Sequence, residues 1–122
     1  MNSRTNINLW VKQEIFPYLE SGEKTVEGRL GKPIYFRQKP GSIILINKTE
    51  FRLERVMKYP TFRAMLEGEG IHRVLPMIRT INEGETLFYR FFSKEDEIRF
   101  GVVALQVQRI LSGFNNLEIN NQ

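Results

Sequence analysis

The chain has 122 residues, 41% of them hydrophobic, with 18 Lys and Arg against 14 Asp and Glu and no Cys. This length suits one domain that buries about two thirds of its unfolded surface, and the lack of Cys excludes disulfides, thiolate nucleophiles and zinc-thiolate sites. No run approaches the ~20 apolar residues of a membrane span, and the first residues lack the apolar core of a signal peptide, so an intracellular protein, cytoplasmic or nuclear, is expected.

In chain order, Ile7, Leu9 and Val11 alternate with Asn6, Asn8, Trp10 and Lys12, which predicts a first strand. Trp10 falls on the face opposite the aliphatics and is expected to pack under another element rather than line a pocket. Glu14 to Glu20 predicts one or two helical turns, with Pro17 tolerable in the first turn and Gly22 as the stop. After Gly22, Thr25 to Leu30 mixes β-branched and polar residues as a half-buried strand does, so Thr25, Glu27 and Arg29 share one face. Lys24 sits in the turn, free of strict alternation, and its side chain can swing to the same side. The expected result is a Lys, Glu, Arg cluster at one strand end.

Gly31-Lys32-Pro33 and Lys39-Pro40-Gly41 are turn signals around residues 34–38. Ser42 to Asn47 is a short apolar run, expected to be a strand buried on both faces, and it forms a hairpin with the alternating residues from Phe51 to Lys58 through a turn at Asn47 to Glu50. Tyr59-Pro60-Thr61 opens a helix with Phe62, Met65 and Leu66 on one side, ended by Gly68 and Gly70. Ile71, Val74, Leu75 and Ile78 predict another short turn interrupted at Pro76. Asn82 followed by Glu85 reads as the cap of a helix carrying Leu87, Phe88, Phe91 and Phe92. Glu95 to Glu97 reads as a solvated acidic loop, and Gly101 to Ile110 as a last strand, buried early and amphipathic late. One domain is expected over residues 1–110, with residues 111–122 an Asn-rich flexible tail.

Charge is uneven. Between Arg29 and Arg63 nine cations face only Glu50 and Glu54, so this segment carries +7. It is interleaved with Tyr35, Phe36, Phe51, Tyr59 and Phe62, a pattern that fits cations on phosphates and rings on bases. It fits equally a solvated basic strand face with its aromatics in the core. His72 and Asp96 are the sole His and Asp, which leaves no basis for a Ser-His-Asp triad or a transition-metal site, and no phosphate-binding Gly-rich motif is present. No cofactor or metal is expected.

The segment Gly22 to Arg29, Pro40-Gly41-Ser42 before a buried strand, Tyr59 to Phe62 opening a helix, and Gly101 to Leu105 near the end occur in an order that resembles the ASCH domain. This is the activating signal cointegrator homology module of the PUA-like superfamily, and the resemblance covers residues 7–110. It implies an α+β fold, a small mixed β-barrel with short helices covering its openings. It also implies a cleft beside the G-x-K-x-x-E-x-R motif that binds RNA, single-stranded, or a modified nucleotide. Lys24, Thr25, Glu27, Arg29, Tyr59, Glu67 and Glu69 are the ligand-binding candidates, and Lys24 and Glu27 the catalytic ones if the protein is a metal-independent ribonuclease or a nucleoside amidohydrolase. A module for interaction with other proteins is a further alternative.

Some small bacterial relatives hydrolyse acetylated cytidine with a Lys, a Thr three residues later and a downstream Glu. Here Lys24 matches the Lys, Glu27 occupies the place of the Thr, and Glu67 or Glu69 would be the downstream carboxylate. For Lys24 to act as a base near neutral pH its pKa would have to fall by about 3, roughly 4 kcal/mol. Arg29 would assist that fall and Glu27 would oppose it, so the expected role is an electrostatic clamp.

Overall fold

Asn47 and Lys48 both take positive φ, 49° and 66°, the conformation of a two-residue turn whose twist matches that of the strands it joins. The computed structural model describes residues 4–111, and this turn links β3 (Ile43–Ile46) to β4 (Thr49–Tyr59). To one side β1 (Arg4–Leu9) runs parallel to β3, and to the other β5 (Val102–Arg109) and then β2 (Val26–Leu30) continue antiparallel, giving the order β1-β3-β4-β5-β2. The sheet curls into a half-barrel in which β1 and β2 are the two edges. The expected α+β architecture with short helices is the one observed. No helix among the described residues is long and apolar enough to cross a membrane.

Strand β5, between β4 and β2, is apolar from Val102 to Leu105 because both of its faces are covered there. Val103, Leu105 and Val107 of β5 point inward to Leu9, Leu19, Phe51 and Leu53, while Val102 and Ala104 point outward to a second cluster. That outer cluster is built by helices α3 (Phe62–Glu69), α4 (Ile71–Val74) and α5 (Ile81–Phe88), where the Phe62 ring stacks on Phe88 at 4.6 Å. Helix α1 (Phe16–Ser21) closes the inner face through Leu19 and stops at Gly22, whose φ of 87° is the left-handed conformation expected of it. A short helix α2 (Pro33–Phe36) occupies the segment between the two turn signals.

Four readings of the sequence need correction. Strand β3 is not buried on both faces: Ile44 and Ile46 are buried, whereas Ile43 and Leu45 are half-buried beside their cross-strand partners Arg52 and Glu50. The cap of α5 is Thr80, not Asn82. The Thr80 hydroxyl accepts from Glu83 N–H at 3.1 Å and the Glu83 carboxylate accepts from Thr80 N–H at 3.2 Å, a reciprocal box that the later pair does not form. Helix α3 runs through Gly68 and ends only at Gly70. The acidic stretch is no loop, since it lies in α6 (Lys94–Phe100), capped by Ser93 with three carboxylates in its first turn, where the helix dipole favours them. Glu97 is buried and accepts from Phe62 N–H at 2.7 Å and from the Tyr89 hydroxyl at 2.6 Å, which ties α6 to the start of α3. Burial and this bond to Glu97 push Tyr89 up to about 12. The tail beyond Leu111 lies outside the described residues.

Candidate functional site

Strand parity places the motif. Glu27 pairs with Leu105 and Arg29 with Val103, both residues of the inner core, so the two side chains face the interior of the half-barrel at its open edge. Lys24 folds back from the turn to the same side, as its position outside the strand allows. Its ammonium is buried, 3% exposed, and donates to Val26 O at 2.6 Å and to Val74 O at 2.5 Å, with Glu27 Oε1 at 3.1 Å. Three protons thus meet three acceptors, and the ammonium has no N–H left for a ligand.

The other Glu27 oxygen accepts from Arg29 Nε at 2.8 Å, and Arg29 Nη2 donates to Trp10 O at 2.8 Å. This last bond reaches from β2 across the open seam to the residue that follows β1. Burial draws the Lys24 pKa below the ordinary lysine value, against the pull of Glu27. For Glu27 burial acts upward, but the charges of Lys24 and Arg29 and their hydrogen bonds outweigh it and hold the carboxyl below its ordinary value. The three acceptors around Nζ require the charged ammonium, so the cluster is a cation, an anion and a cation. Burial also raises the Tyr35 phenol, which lies in the field of Arg29 and Glu27; α2 thus brings an aromatic hydroxyl to the same end of the barrel.

Above these groups lies a cleft of about 550 Å³ with Lys24, Glu27, Gly28 and Arg29 among its lining residues. Its lips carry Trp10 and Lys12 on one side and Arg90 and Phe91 on the other. Trp10 is 59% and Phe91 54% exposed, and Lys12 Nζ lies 4.9 Å from the Phe91 ring centre. Trp10 therefore lines a pocket instead of packing under an element. The chain after β1 is held there by Asn47, whose side chain accepts from Val11 N–H at 2.8 Å and donates to Val11 O at 3.0 Å. The opposite lip is set by Gly28: a Cβ there would stand 2.5 Å from Met65 Cε and 3.1 Å from Phe88 Cζ. Without one, α3 and α5 seat directly on β2, and the end of α5 delivers Arg90 and Phe91 to the cleft.

The remaining candidates are elsewhere. Thr25 lies half-buried in a separate groove, its N–H bonded to Arg73 O at 3.0 Å. Glu67 is exposed and pairs with Arg63 at 3.8 Å. Tyr59 and Glu69 form a cluster with Arg55 on the outer face of the sheet: the Tyr59 hydroxyl donates to Glu69 Oε2 at 2.6 Å, and Arg55 Nη2 pairs with Glu69 Oε1. The structure thus brings together Lys24, Glu27 and Arg29 and leaves the other four outside the cleft lining. Sequence reading missed Lys12, Arg90 and Phe91 as cleft residues, and for Trp10 the one signal was its position opposite the aliphatics. His72 is exposed, and no group of three metal-ligating side chains occurs among the described residues.

Residues 9–111 match the model of the ASCH domain. Among solved structures, the chain is similar to the crystal structure of hypothetical protein PH0355, with 33% identity and a TM-score of 0.80 over 84% of this chain and 97% of that one. It is also similar to the solution NMR structure of protein PF0455 from Pyrococcus furiosus, with 30% identity and a TM-score of 0.73 over 87% and 98%. No curated protein matches the sequence.

Proposed function

The chain belongs to the ASCH-domain family, and from that premise we propose that its cleft binds single-stranded RNA through one nucleotide, plain or modified. The observation that carries this reading is the combination of exposed rings and cations, Trp10, Lys12, Arg90 and Phe91, around the buried Glu27 carboxylate. A nucleotide offers a π-face, a polar base edge and an anionic phosphate. The cleft offers aromatic faces for stacking, a carboxylate to accept base N–H groups, and cations for phosphate. Its volume falls within the ~300 to 1,000 Å³ of small-ligand sites.

Lys24 acts here through charge and by positioning Glu27, since its protons are committed. Arg29 has guanidinium N–H groups beyond the two it gives to Glu27 and Trp10 O, and these suit a phosphate or carbonyl oxygen. The same geometry favours binding over hydrolysis. A charged Lys24 has no lone pair with which to take a proton, and a Glu27 held below its ordinary pKa is a weak base. Trp10 is the chain's single Trp, so its fluorescence reports directly on the cleft. Titration with short single-stranded RNA should quench it saturably, and Arg29→Ala should weaken binding by about tenfold, as expected for one charge-assisted hydrogen bond. A Trp10 signal indifferent to oligoribonucleotides and nucleotides alike would overturn the reading.

A further inference from the structure

Lys58 stands in the same cross-strand row as Arg29. Both pair with Val103, Arg29 from β2 and Lys58 from β4, so they lie on one face of the sheet two strand spacings apart, about 10 Å. Helix α2 spans this gap. Its Tyr35 packs on the inner core within the field of Arg29, and its Phe36 is exposed with Lys58 Nζ 5.7 Å from the ring centre.

Beyond Phe36 the surface continues in the same chemistry. Phe100, half-buried, has Lys32 Nζ at 5.7 Å and the Arg99 guanidinium at 5.0 Å from its ring centre. Two contacts join this pair to the first: Gly31 N–H donates to Gly101 O at 2.9 Å, and Gly101 has Lys58 Cε beside it. Lys32, Lys58 and Arg99 are all exposed, and among the described residues none of them forms an ion pair. Three cations outside the ion pairs of the described residues, set on two aromatic rings and linked to the Arg29 end of the cleft, are a track for a polyanion that also carries planar groups.

We infer that this strip is a second contact site for nucleic acid, which takes the extension of the same RNA strand whose nucleotide occupies the cleft. The inference rests on the proposed function. At about 3.4 Å per stacked nucleotide, the 10 Å from Arg29 to Lys58 corresponds to about three nucleotides. With one nucleotide in the cleft, the other two of an RNA trinucleotide stop short of Lys58, whereas a decanucleotide reaches Lys58, Lys32 and Arg99 as well. The exposed Phe36 ring offers a face for a base, and phosphates draw the lysines and the arginine off the rings.

The test compares the wild-type chain with a Lys32→Gln/Lys58→Gln/Arg99→Gln variant, both checked by circular dichroism, using Trp10 quenching by the two oligonucleotides over a range of salt. The decanucleotide should bind the wild type at least about tenfold more tightly than the trinucleotide, and the variant should erase that advantage while leaving the trinucleotide unaffected. The salt slope for the decanucleotide should fall by about 2, near 0.7 for each phosphate that the variant no longer neutralises. If the decanucleotide quenches Trp10 with the same affinity and slope in both proteins, the strip is not a nucleic-acid site, although the cleft reading stands. If the variant instead loses binding to phosphatidylserine vesicles with RNA binding intact, the strip faces a membrane surface and the inference is again overturned. If neither oligonucleotide quenches Trp10, the cleft reading fails and the inference falls with it.

Discussion

Glu27 and Glu69 are two buried carboxylates with similar partners and opposite settings in the fold. Glu27 accepts from Lys24 and Arg29, Glu69 from Arg55 and Tyr59, and both are held below the ordinary carboxylate pKa by their partners despite burial. The Glu69 cluster joins the end of α3 to the outer face of β4, and its Arg55 side chain is 37% exposed. The Glu27 cluster sits on the inner face at the seam of the half-barrel, and its Lys24 side chain is 2% exposed. A partly hydrated cation tolerates an imperfect partner, whereas a fully buried one is stable only when every donor is matched. The same ion-pair chemistry is therefore a fastening in one place and, beside a cleft with aromatic lips, the preorganised floor of the proposed ligand site in the other.

The comparison is broken most directly by removing each carboxylate. Glu27→Leu leaves the Lys24 ammonium buried without its counter-ion, which should lower the unfolding free energy by about 3–5 kcal/mol in urea titrations. Glu69→Leu should cost about 1–3 kcal/mol, because Arg55 can turn to water. It should leave RNA quenching of Trp10 unchanged. Equal losses of stability, or loss of binding in Glu69→Leu, would show that the two clusters do not differ in kind.

Acid offers a gentler separation. Both carboxyls titrate in the folded protein below their ordinary value of 4.5, so in the window below 4.5 the unfolded chain binds more protons than the folded one. Their contribution to stability is complete above 4.5 and is lost as pH falls through the folded values, each with a slope of at most about 1.4 kcal/mol per pH unit. Urea unfolding from neutral pH down to about pH 3 should show a shallower decline in Glu27→Gln than in the wild type. A Glu27→Gln curve that runs parallel to the wild type would mean that Glu27 has no depressed pKa.

How much of this was legible in the sequence follows from the same two clusters. The Glu27 site was readable because it is local: Gly22 ends a helix, the next residues alternate, and parity alone sets Glu27 and Arg29 on one face with Lys24 in the turn. The segregation of Tyr59 and Glu69 was not readable, because β4 shifts register between Leu53 and Arg55. That bulge turns Val56 inward and sends Arg55 and Tyr59 to the outer face with their partners Gln106 and Val102, which a single unbroken alternation from Phe51 to Lys58 does not foresee. The cleft's second lip was hidden for another reason. Arg90 and Phe91 reach it only through the packing of α3 and α5 on Gly28, a tertiary contact with no trace in local spacing. The basic, aromatic segment divided between its two readings: Phe51 and Phe62 are core residues at 0% exposure, and Phe36 stands outside beside Lys58.

Tyr59→Phe gives the smallest and sharpest test of the division. The phenol donates one 2.6 Å hydrogen bond to Glu69, and burial followed by that bond raises its own pKa. The ring itself lies under Gly68, where a Cβ would approach it to 2.7 Å, so the substitution preserves packing and removes only the hydroxyl. The loss should be about 0.5–1.5 kcal/mol, seen as a fall in Tm of about 2–6 °C. Glu69 loses one of the two bonds that lower its pKa, so the acid limb of its stability curve should move to higher pH. Glu27 and the cleft share no hydrogen bond with Tyr59, and RNA quenching of Trp10 should keep its wild-type affinity. Weakened quenching in a variant that remains folded would join Tyr59 and Glu69 to the ligand site and make the outer cluster more than a fastening.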